Sequence, residues 1–170
     1  LPVLEKLKYV EEDSMIMLKS AERTDKNRLW NIFQKYFYEM SAYYDMEMDF
    51  SGNYEYRYFD TYFEENGRAA YFVFDDNTLI GFVMINDYSC INDKIDYSIA
   101  EFTIFPKYRR KHCAKETMRQ IFQEHQGKWE IKFSNQNLSA RAFWLKVTKK
   151  YTPQVSSIDE AETVLSFIVK

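Results

Sequence analysis

A cluster of cationic and imidazole side chains lies between a predicted strand and a predicted helix, and its residue types suit an anionic ligand. Its members are Lys107, Arg109, Arg110, Lys111, His112 and Lys115. The first N–H groups of a helix have no intrahelical acceptor, and the helix dipole adds partial positive charge there. Cations around such a helix start predict a site for a phosphate or pyrophosphate. A solvated basic helix start is the alternative interpretation of the same residues.

The elements on either side of this cluster follow from short-range patterns. The residues from Ile99 to Phe105 are rich in β-branched and aromatic side chains, which predicts a strand. Pro106 stops that strand because proline has no N–H for a sheet ladder. From Ala114 onward apolar residues recur at helical spacing, which predicts a helix that ends at Gly127. The cluster therefore lies in a strand-to-helix turn.

The remaining patterns predict one mixed α/β (α+β) domain that accounts for residues 1–170. Residues 1–14 form either a short leading helix or a tail. The other predicted elements are, in order, a strand at 15–19, a helix at 25–40, an irregular acidic and aromatic segment at 41–53, a helix at 54–65, a hairpin of strands at 69–74 and 79–86, a strand at 129–133, a helix capped by Asn137, and a closing strand at 162–169.

Composition limits the class of protein. Hydrophobic residues make up 46% and charged residues 29% of the 170 residues, which is typical of a globular chain. The net charge of −3 gives no bulk attraction to nucleic acid. No apolar run approaches the ~20 residues that span a bilayer. The two cysteines, Cys90 and Cys113, show no metal-type spacing with histidine, so we expect a cytoplasmic protein without a metal.

Two motifs resemble a known family. Residues 102–114 read Phe-Thr-Ile-Phe-Pro-Lys-Tyr-Arg-Arg-Lys-His-Cys-Ala, similar to the strand, proline and Arg/Gln-x-x-Gly-x-Gly/Ala turn of the GNAT superfamily of acetyl-CoA-dependent N-acetyltransferases. Residues 137–147 read Asn-Leu-Ser-Ala-Arg-Ala-Phe-Trp-Leu-Lys-Val, similar to that family's Asn-x-x-Ala-x-x-Phe/Leu-Tyr-x-Lys segment. The resemblance implies a mixed, mostly antiparallel central sheet of six to seven strands flanked by about four helices.

The resemblance also implies that acetyl-CoA is the cosubstrate and that a primary amine attacks it directly. By this resemblance the turn that holds the CoA pyrophosphate comprises Arg109, Arg110, Lys111, His112, Cys113, Ala114 and Lys115. The strand backbone that pairs with the pantetheine arm comprises Phe102, Thr103 and Ile104. The residues that line the far side of the cofactor are Asn137, Ala140 and Phe143.

Amine attack needs a base for the amine proton, and the departing thiolate needs an acid. Glu101, beside the expected acetyl group, is the candidate base, and a surface strand carboxylate is the alternative interpretation. Where many relatives have an acidic tyrosine this chain has Trp144, whose indole N–H cannot serve. The acid is then Tyr151 or a water, or the thiolate leaves unassisted. A second departure is His112, which replaces a glycine that allows close backbone approach.

The resemblance implies that the first two helices and their connection shape the acceptor pocket, and the carboxylates and aromatic rings of segment 41–58 suit a cationic amine. The candidate residues of this pocket are Tyr43, Tyr44, Asp45 and Tyr58. Core aromatic residues and solvated acids are the alternative interpretation. The acceptor can be a small molecule or a peptide, and we expect no nucleic-acid or membrane partner, while a homodimer stays open. Two rival functions also stay open. One is a catalytically inactive domain of this fold that binds acyl-CoA or a partner as a sensor, and the other is a nucleic-acid-binding module.

Overall fold

The computed structural model describes residues 15–170, so the prediction for residues 1–14 lies outside the described residues. The regular elements are β1 (Ile16–Ser20), α1 (Lys26–Met40), β2 (Ala69–Asp75), β3 (Thr78–Asn86), β4 (Tyr97–Ile104), α2 (Cys113–Glu124), β5 (Gly127–Ser134), α3 (Leu138–Thr148), β6 (Gln154–Ile158) and β7 (Glu162–Val169). Short 3-10 turns occupy Arg23–Asp25, Asp60–Phe63, Pro106–Tyr108 and Lys149–Tyr151.

The seven strands form one sheet in the order β1-β2-β3-β4-β5-β7-β6. Every neighbouring pair is antiparallel except β4 and β5, which run parallel. A mixed, mostly antiparallel sheet is thus confirmed, as are the β2–β3 hairpin and the closing strand. The edge strand β6 was not predicted. Its residues are mostly exposed, so its sequence shows little of the hydrophobic alternation that marks a half-buried strand.

Two hydrophobic layers cover opposite faces of the sheet. α2 and α3 cover one face, and the buried residues of that layer include Met118, Ile121, Phe122, Trp129 and Trp144. α1 covers the other face, and the buried residues of that layer include Leu29, Phe33, Phe37, Phe72, Phe82 and Met84. A sheet packed on both faces restricts solvent access to its two edges and to any gap between strands.

The predicted helix at 54–65 is wrong. Tyr54 forms an isolated antiparallel bridge with Met48, and the helical part of the segment is only the 3-10 turn Asp60–Phe63. The amide of Gln34 on α1 takes both backbone groups of Tyr54, since Nε2 donates to the carbonyl at 2.9 Å and Oε1 accepts from the N–H at 2.6 Å. Packing of the aromatic residues against α1 therefore overrides their helical spacing. Within the described residues the α-helices number three, rather than about four.

The first testable prediction concerns Gly81, at the centre of the sheet. It pairs with Ile104 in β4, and a Cβ atom here would overlap the backbone carbonyl oxygen of Thr103. We expect Gly81→Ala to lower the free energy of unfolding by about 3 kcal/mol or more, because backbone rather than a flexible side chain must move. Urea unfolding measures this loss.

The matched control is Gly52→Ala. Gly52 has open space around its missing Cβ and a φ of +77°, so only the left-handed backbone opposes the substitution. We expect it to cost about 1 kcal/mol. Equal losses of unfolding free energy in the two variants would contradict the close approach of the β3 and β4 backbones at Gly81.

Candidate active site

The two parallel strands separate after three residue pairs. β4 and β5 are paired only from Tyr97 with Trp129 to Ile99 with Ile131. Beyond this point β4 continues to Ile104 with β3 as its partner, while β5 continues with β7. The end of β4 therefore presents an unpaired backbone edge, which can accept hydrogen bonds from, and donate them to, an extended ligand.

A β-bulge in β4 decides which side chains reach this gap. Met84 of β3 pairs with Glu101 while the next residue, Ile85, pairs with Ile99, so Ala100 is an extra residue in β4. The bulge reverses the alternation. Phe102 thus lies on the α3 face, and Glu101 lies on the α1 face rather than on the face that Ile99 shares.

The gap opens into a cavity of about 560 Å³ that passes from the α1 side of the sheet to the α3 side. Its walls include Tyr36, Tyr44, Asp45, Tyr56, Tyr88, Glu101, Phe102, Lys132, Asn137, Ala140 and Trp144. The structure thus brings together Glu101, the α3 residues Asn137 and Ala140, and the acceptor candidates Tyr44 and Asp45. Phe143 lies behind this wall, with its ring centroid 5.8 Å from that of Phe102.

Glu101 projects into the cavity and is otherwise surrounded by protein. Burial raises the pKa of its carboxyl from 4.5 to about 7. The nearby hydroxyls of Tyr36 and Tyr56 and the charge of Lys132 offset part of that rise in pKa. At neutral pH the group is divided between its protonated and ionised forms, as suits a general base.

A chain of hydroxyl groups leads from Glu101 into the protein. The ring of Tyr56 lies beside that of Tyr62, with centroids 6.5 Å apart, and the Tyr62 hydroxyl accepts a hydrogen bond from Asn86 Nδ2 at 3.0 Å. Burial raises the pKa of the phenols of Tyr36, Tyr56 and Tyr62 above 10. These phenols therefore remain protonated at neutral pH and surround the carboxylate with potential hydrogen-bond donors.

The predicted acid and two predicted acceptor residues lie elsewhere. Tyr151 is outside this cavity, and its ring stacks on Phe167 with centroids 5.2 Å apart. Tyr58 is half-exposed beside Arg57 and Arg68, and Tyr43 is not among the lining residues. These placements are long-range packing outcomes that residue spacing did not reveal.

Tyr44 lines the cavity at its β5 wall. Burial raises the pKa of its phenol, and the charge of Lys132 partly offsets this rise. Trp144 lines the same cavity, where its indole ring packs 5.6 Å from Phe102. Tyr44 therefore brings a protonated hydroxyl into a cavity in which the α3 residue has none.

Arg109 is held by the protein itself. Its guanidinium pairs with both carboxylate oxygens of Glu39 at 2.6 and 2.7 Å, and its Nε donates to the carbonyl of Ile104 at 2.7 Å. The Nη2 atom that pairs with Glu39 also donates to Thr103 Oγ1 at 3.3 Å, and the backbone N–H of Arg109 donates to Pro106 O. The resemblance predicts that the pyrophosphate binds the backbone N–H groups from Arg109 to Ala114. In the structure the N–H of Arg109 is bonded within the turn, and its guanidinium clamps the basic turn to the end of α1.

The backbone after Arg109 forms a tight turn that leads into α2. Arg110 and His112 have left-handed backbone, with φ of +64° and +61°, and α2 begins at Cys113. Left-handed residues in a tight turn direct successive N–H groups to one side, and the first turn of a helix adds its own unbonded N–H groups. His112 supplies the conformation for which glycine is usual. Histidine tolerates it better than most residues.

A second cavity, of about 930 Å³, lies beside the start of α2 and the end of α3. The polar side chains that line it are His112, Lys115, Glu116, Arg119, Lys146, Lys149 and Lys150. Arg119 is engaged by Glu116 through two hydrogen bonds of 2.7 and 2.8 Å. Lys146, Lys149 and Lys150, near the end of α3, were not predicted from the sequence as part of a site. Their spacing of three and four residues is characteristic of one helix face and could have indicated it.

Within residues 15–170 we find no second cluster of reactive or metal-binding side chains. Cys113 is buried and Cys90 exposed, and both are free thiols. Among the described residues no cluster of histidine, cysteine and carboxylate side chains could hold a metal ion. In the same part of the chain no helix is long and apolar enough to cross a membrane.

Comparisons with known proteins place this geometry in a family. The family model described as acetyltransferase (GNAT) family matches residues 26–148. No curated protein matches the sequence. An acetyltransferase from Thermus thermophilus has 14% identity and a TM-score of 0.66, with 91% of this chain and 97% of that chain covered.

Two further solved structures are similar. The PaiA N-acetyltransferase from Thermoplasma acidophilum, in complex with coenzyme A, has 14% identity and a TM-score of 0.59, covering 91% and 99% of the two chains. The ribosomal-protein-S18-alanine N-acetyltransferase from Escherichia coli has 9% identity and a TM-score of 0.60, covering 92% and 95%. At these identities the structures show a shared fold.

The second testable prediction uses the buried carboxyl. The pKa of Glu101 is raised from 4.5 to about 7, so the native state binds its proton more tightly than the unfolded chain, and stability falls as pH rises through that window. Glu101→Gln removes the buried charge. We expect the free energy of unfolding of this variant, minus that of the wild type, to increase by about 2 kcal/mol between pH 5 and pH 8.

Urea unfolding at the two pH values measures this difference. Glu55→Gln, at an exposed carboxylate, is the matched control and should show no such growth. An advantage for Glu101→Gln that does not change with pH would mean that the carboxyl is not desolvated.

Proposed function

The chain belongs to the acetyltransferase (GNAT) family, and we propose that it transfers the acetyl group of acetyl-CoA to a primary amine by direct attack. The observation that supports this most is the open edge of β4 beside a partly buried carboxyl group, Glu101, with a pKa of about 7. The gap gives an extended acyl carrier a backbone to pair with, and Glu101 lies where a base is needed.

The residues present fit coenzyme A in three successive regions. The unpaired edge at 102–104 suits the amide groups of the pantetheine arm, with Asn137, Ala140 and Phe143 on the α3 side. The N–H groups of 110–115, rather than the Arg109 side chain, suit the pyrophosphate. The lysines of the second cavity, which are Lys115, Lys146, Lys149 and Lys150, suit the further phosphate. A solved structure of this fold in complex with coenzyme A supports the same cosubstrate.

The chemistry assigned to the chain is a single transfer. A neutral amine nitrogen forms a bond to the acetyl carbonyl carbon, the carbon–sulfur bond breaks, and the CoA sulfur leaves as thiolate. Glu101 accepts the proton that the nitrogen loses, directly or through water. The Glu101 carboxylate becomes a neutral acid in this step, which its surroundings favour because burial disfavours its charge.

We assign the proton for the thiolate to Tyr44. Its side chain lines the cavity, and its raised pKa keeps it protonated at neutral pH. Trp144 occupies the place where many relatives have an acidic tyrosine, and its indole N–H is not acidic enough. Tyr151, the earlier candidate, is separated from the cavity by its packing on Phe167.

The third testable prediction measures binding and turnover together. Acetyl-CoA at ~100 times its dissociation constant should stabilise the protein by ~2.7 kcal/mol, seen as a higher melting temperature. Thiol release should depend on an added amine and rise with pH through about 7, as Glu101 ionises. Glu101→Gln should lower kcat/KM at pH 8 by about 10²-fold or more and lose this inflection, whereas Glu55→Gln should not.

The possible results separate the functions. Stabilisation by acetyl-CoA with no thiol release from any amine would favour the inactive acyl-CoA sensor. No stabilisation would contradict the cofactor assignment altogether. Wild-type rates for Glu101→Gln at every pH would remove that residue as the base while leaving the transfer intact.

A further inference from the structure

The acceptor side of the cavity has aromatic walls that the core holds rigidly. Tyr56 packs against Phe33 and Phe37, with ring centroids 4.7 and 5.5 Å away. Tyr36 meets Phe82 edge-on at 5.5 Å. Phe33 and Phe82 are fully buried, so the rings in front of them cannot turn aside without disturbing the core. A flat apolar group therefore meets preformed surfaces here.

The charges on the cavity walls are few. Among the described lining residues, the carboxyl and amino side chains are those of Asp45, Glu101 and Lys132. Lys132 Nζ lies 2.7 Å from Glu162 Oε1, so its charge is already paired. Asp45 is exposed, and a solvated carboxylate contributes little to binding a cation. Apart from Glu101, these walls therefore offer no buried carboxylate for a second ammonium group, and no unpaired cation for a carboxylate.

Tyr88 adds a ring at the mouth of the cavity, on an anchored segment. Its side chain is 71% exposed, yet its N–H bonds to Asn86 Oδ1 at 3.0 Å. The next two residues are fixed by the buried carboxylate of Glu130, which accepts from Ser89 Oγ at 3.2 Å and Cys90 N at 2.7 Å. An aromatic side chain on a fixed backbone gives contact area with little loss of conformational entropy. The ring of Tyr88 is therefore suited to contact a bound ligand.

These three observations define a substrate class, on the premise of the proposed acetyl transfer. We propose that the acceptor is a primary arylalkylamine, with one amino group at Glu101 and an aromatic body between the rings of the inner wall and Tyr88. The amino nitrogen bonds to the acetyl carbon, the carbon–sulfur bond breaks, the proton goes to Glu101, and the thiolate takes its proton from Tyr44. Polyamines and free amino acids lack matching groups on these walls.

The first arm of the test compares acceptors on the wild-type protein by thiol release. The probes are 2-phenylethylamine, ethylamine, spermidine and L-alanine. We expect kcat/KM for 2-phenylethylamine to exceed that for ethylamine about 30-fold or more, from burial of the ring. It should also exceed the values for spermidine and L-alanine at least tenfold, because burying an unpaired charge disfavours both. A higher value for either of these two would overturn the proposed class but leave the transfer standing.

The second arm tests Tyr88 against a matched surface tyrosine. Tyr88→Ala should raise KM for 2-phenylethylamine at least fivefold, while the dissociation constant for acetyl-CoA stays at the wild-type value. Tyr88→Phe keeps the ring and should keep the wild-type KM. Tyr38→Ala is the control, since Tyr38 is 68% exposed on α1 and is not among the lining residues.

Two results would overturn the assignment. An unchanged KM for Tyr88→Ala would show that the ring contributes nothing to acceptor binding. Failure of every amine, in a protein that acetyl-CoA still stabilises, would overturn both this inference and the proposed transfer. These two failures are distinguishable because only the first leaves amine-dependent thiol release intact.

Discussion

The site depends on the separation of two parallel strands. An unpaired strand edge leaves N–H and C=O groups without partners, so a sheet normally keeps its central strands together. Here β4 and β5 separate after Ile99 and Ile131, and aromatic side chains fill the two sides of the gap. Phe102 packs with Phe143 and Trp144 on the α3 side. An extended carrier with amide groups can hydrogen-bond to the backbone that this separation leaves unpaired.

The bulge at Ala100 links that backbone to the chemistry. It turns Glu101 toward the tyrosines of α1 and leaves Phe102 facing α3, so both sides of the gap receive a suitable side chain. Burial of the carboxyl raises its pKa, and tyrosine hydroxyls surround it. An ionisable group kept where loss of solvation opposes its charge is typical of a functional site rather than a stabilising one.

Local patterns predicted much of this architecture, and long-range contacts account for what they missed. The β2–β3 hairpin and the Asn137 cap, whose side chain accepts from Ala140 N at 3.0 Å, depend on neighbouring residues alone. The bulge could not be predicted, because it depends on the register between β3 and β4, which the sequence of neither strand specifies alone. The pairing of Arg109 with Glu39, 70 positions away, gave no sequence signal either. The segment 54–65 misled because its aromatic spacing fits a helix, whereas its contacts are with α1.

The central claim is that an acyl-CoA lies along the end of β4 and the turn after it. Hydrogen–deuterium exchange measured with and without acetyl-CoA tests this most directly, because it reads backbone N–H groups by position. We predict slower exchange at 100–104 and 110–115, with the β6–β7 hairpin unchanged as an internal reference. Unchanged exchange in both segments at saturating acetyl-CoA, or protection confined to other parts of the chain, would contradict the account.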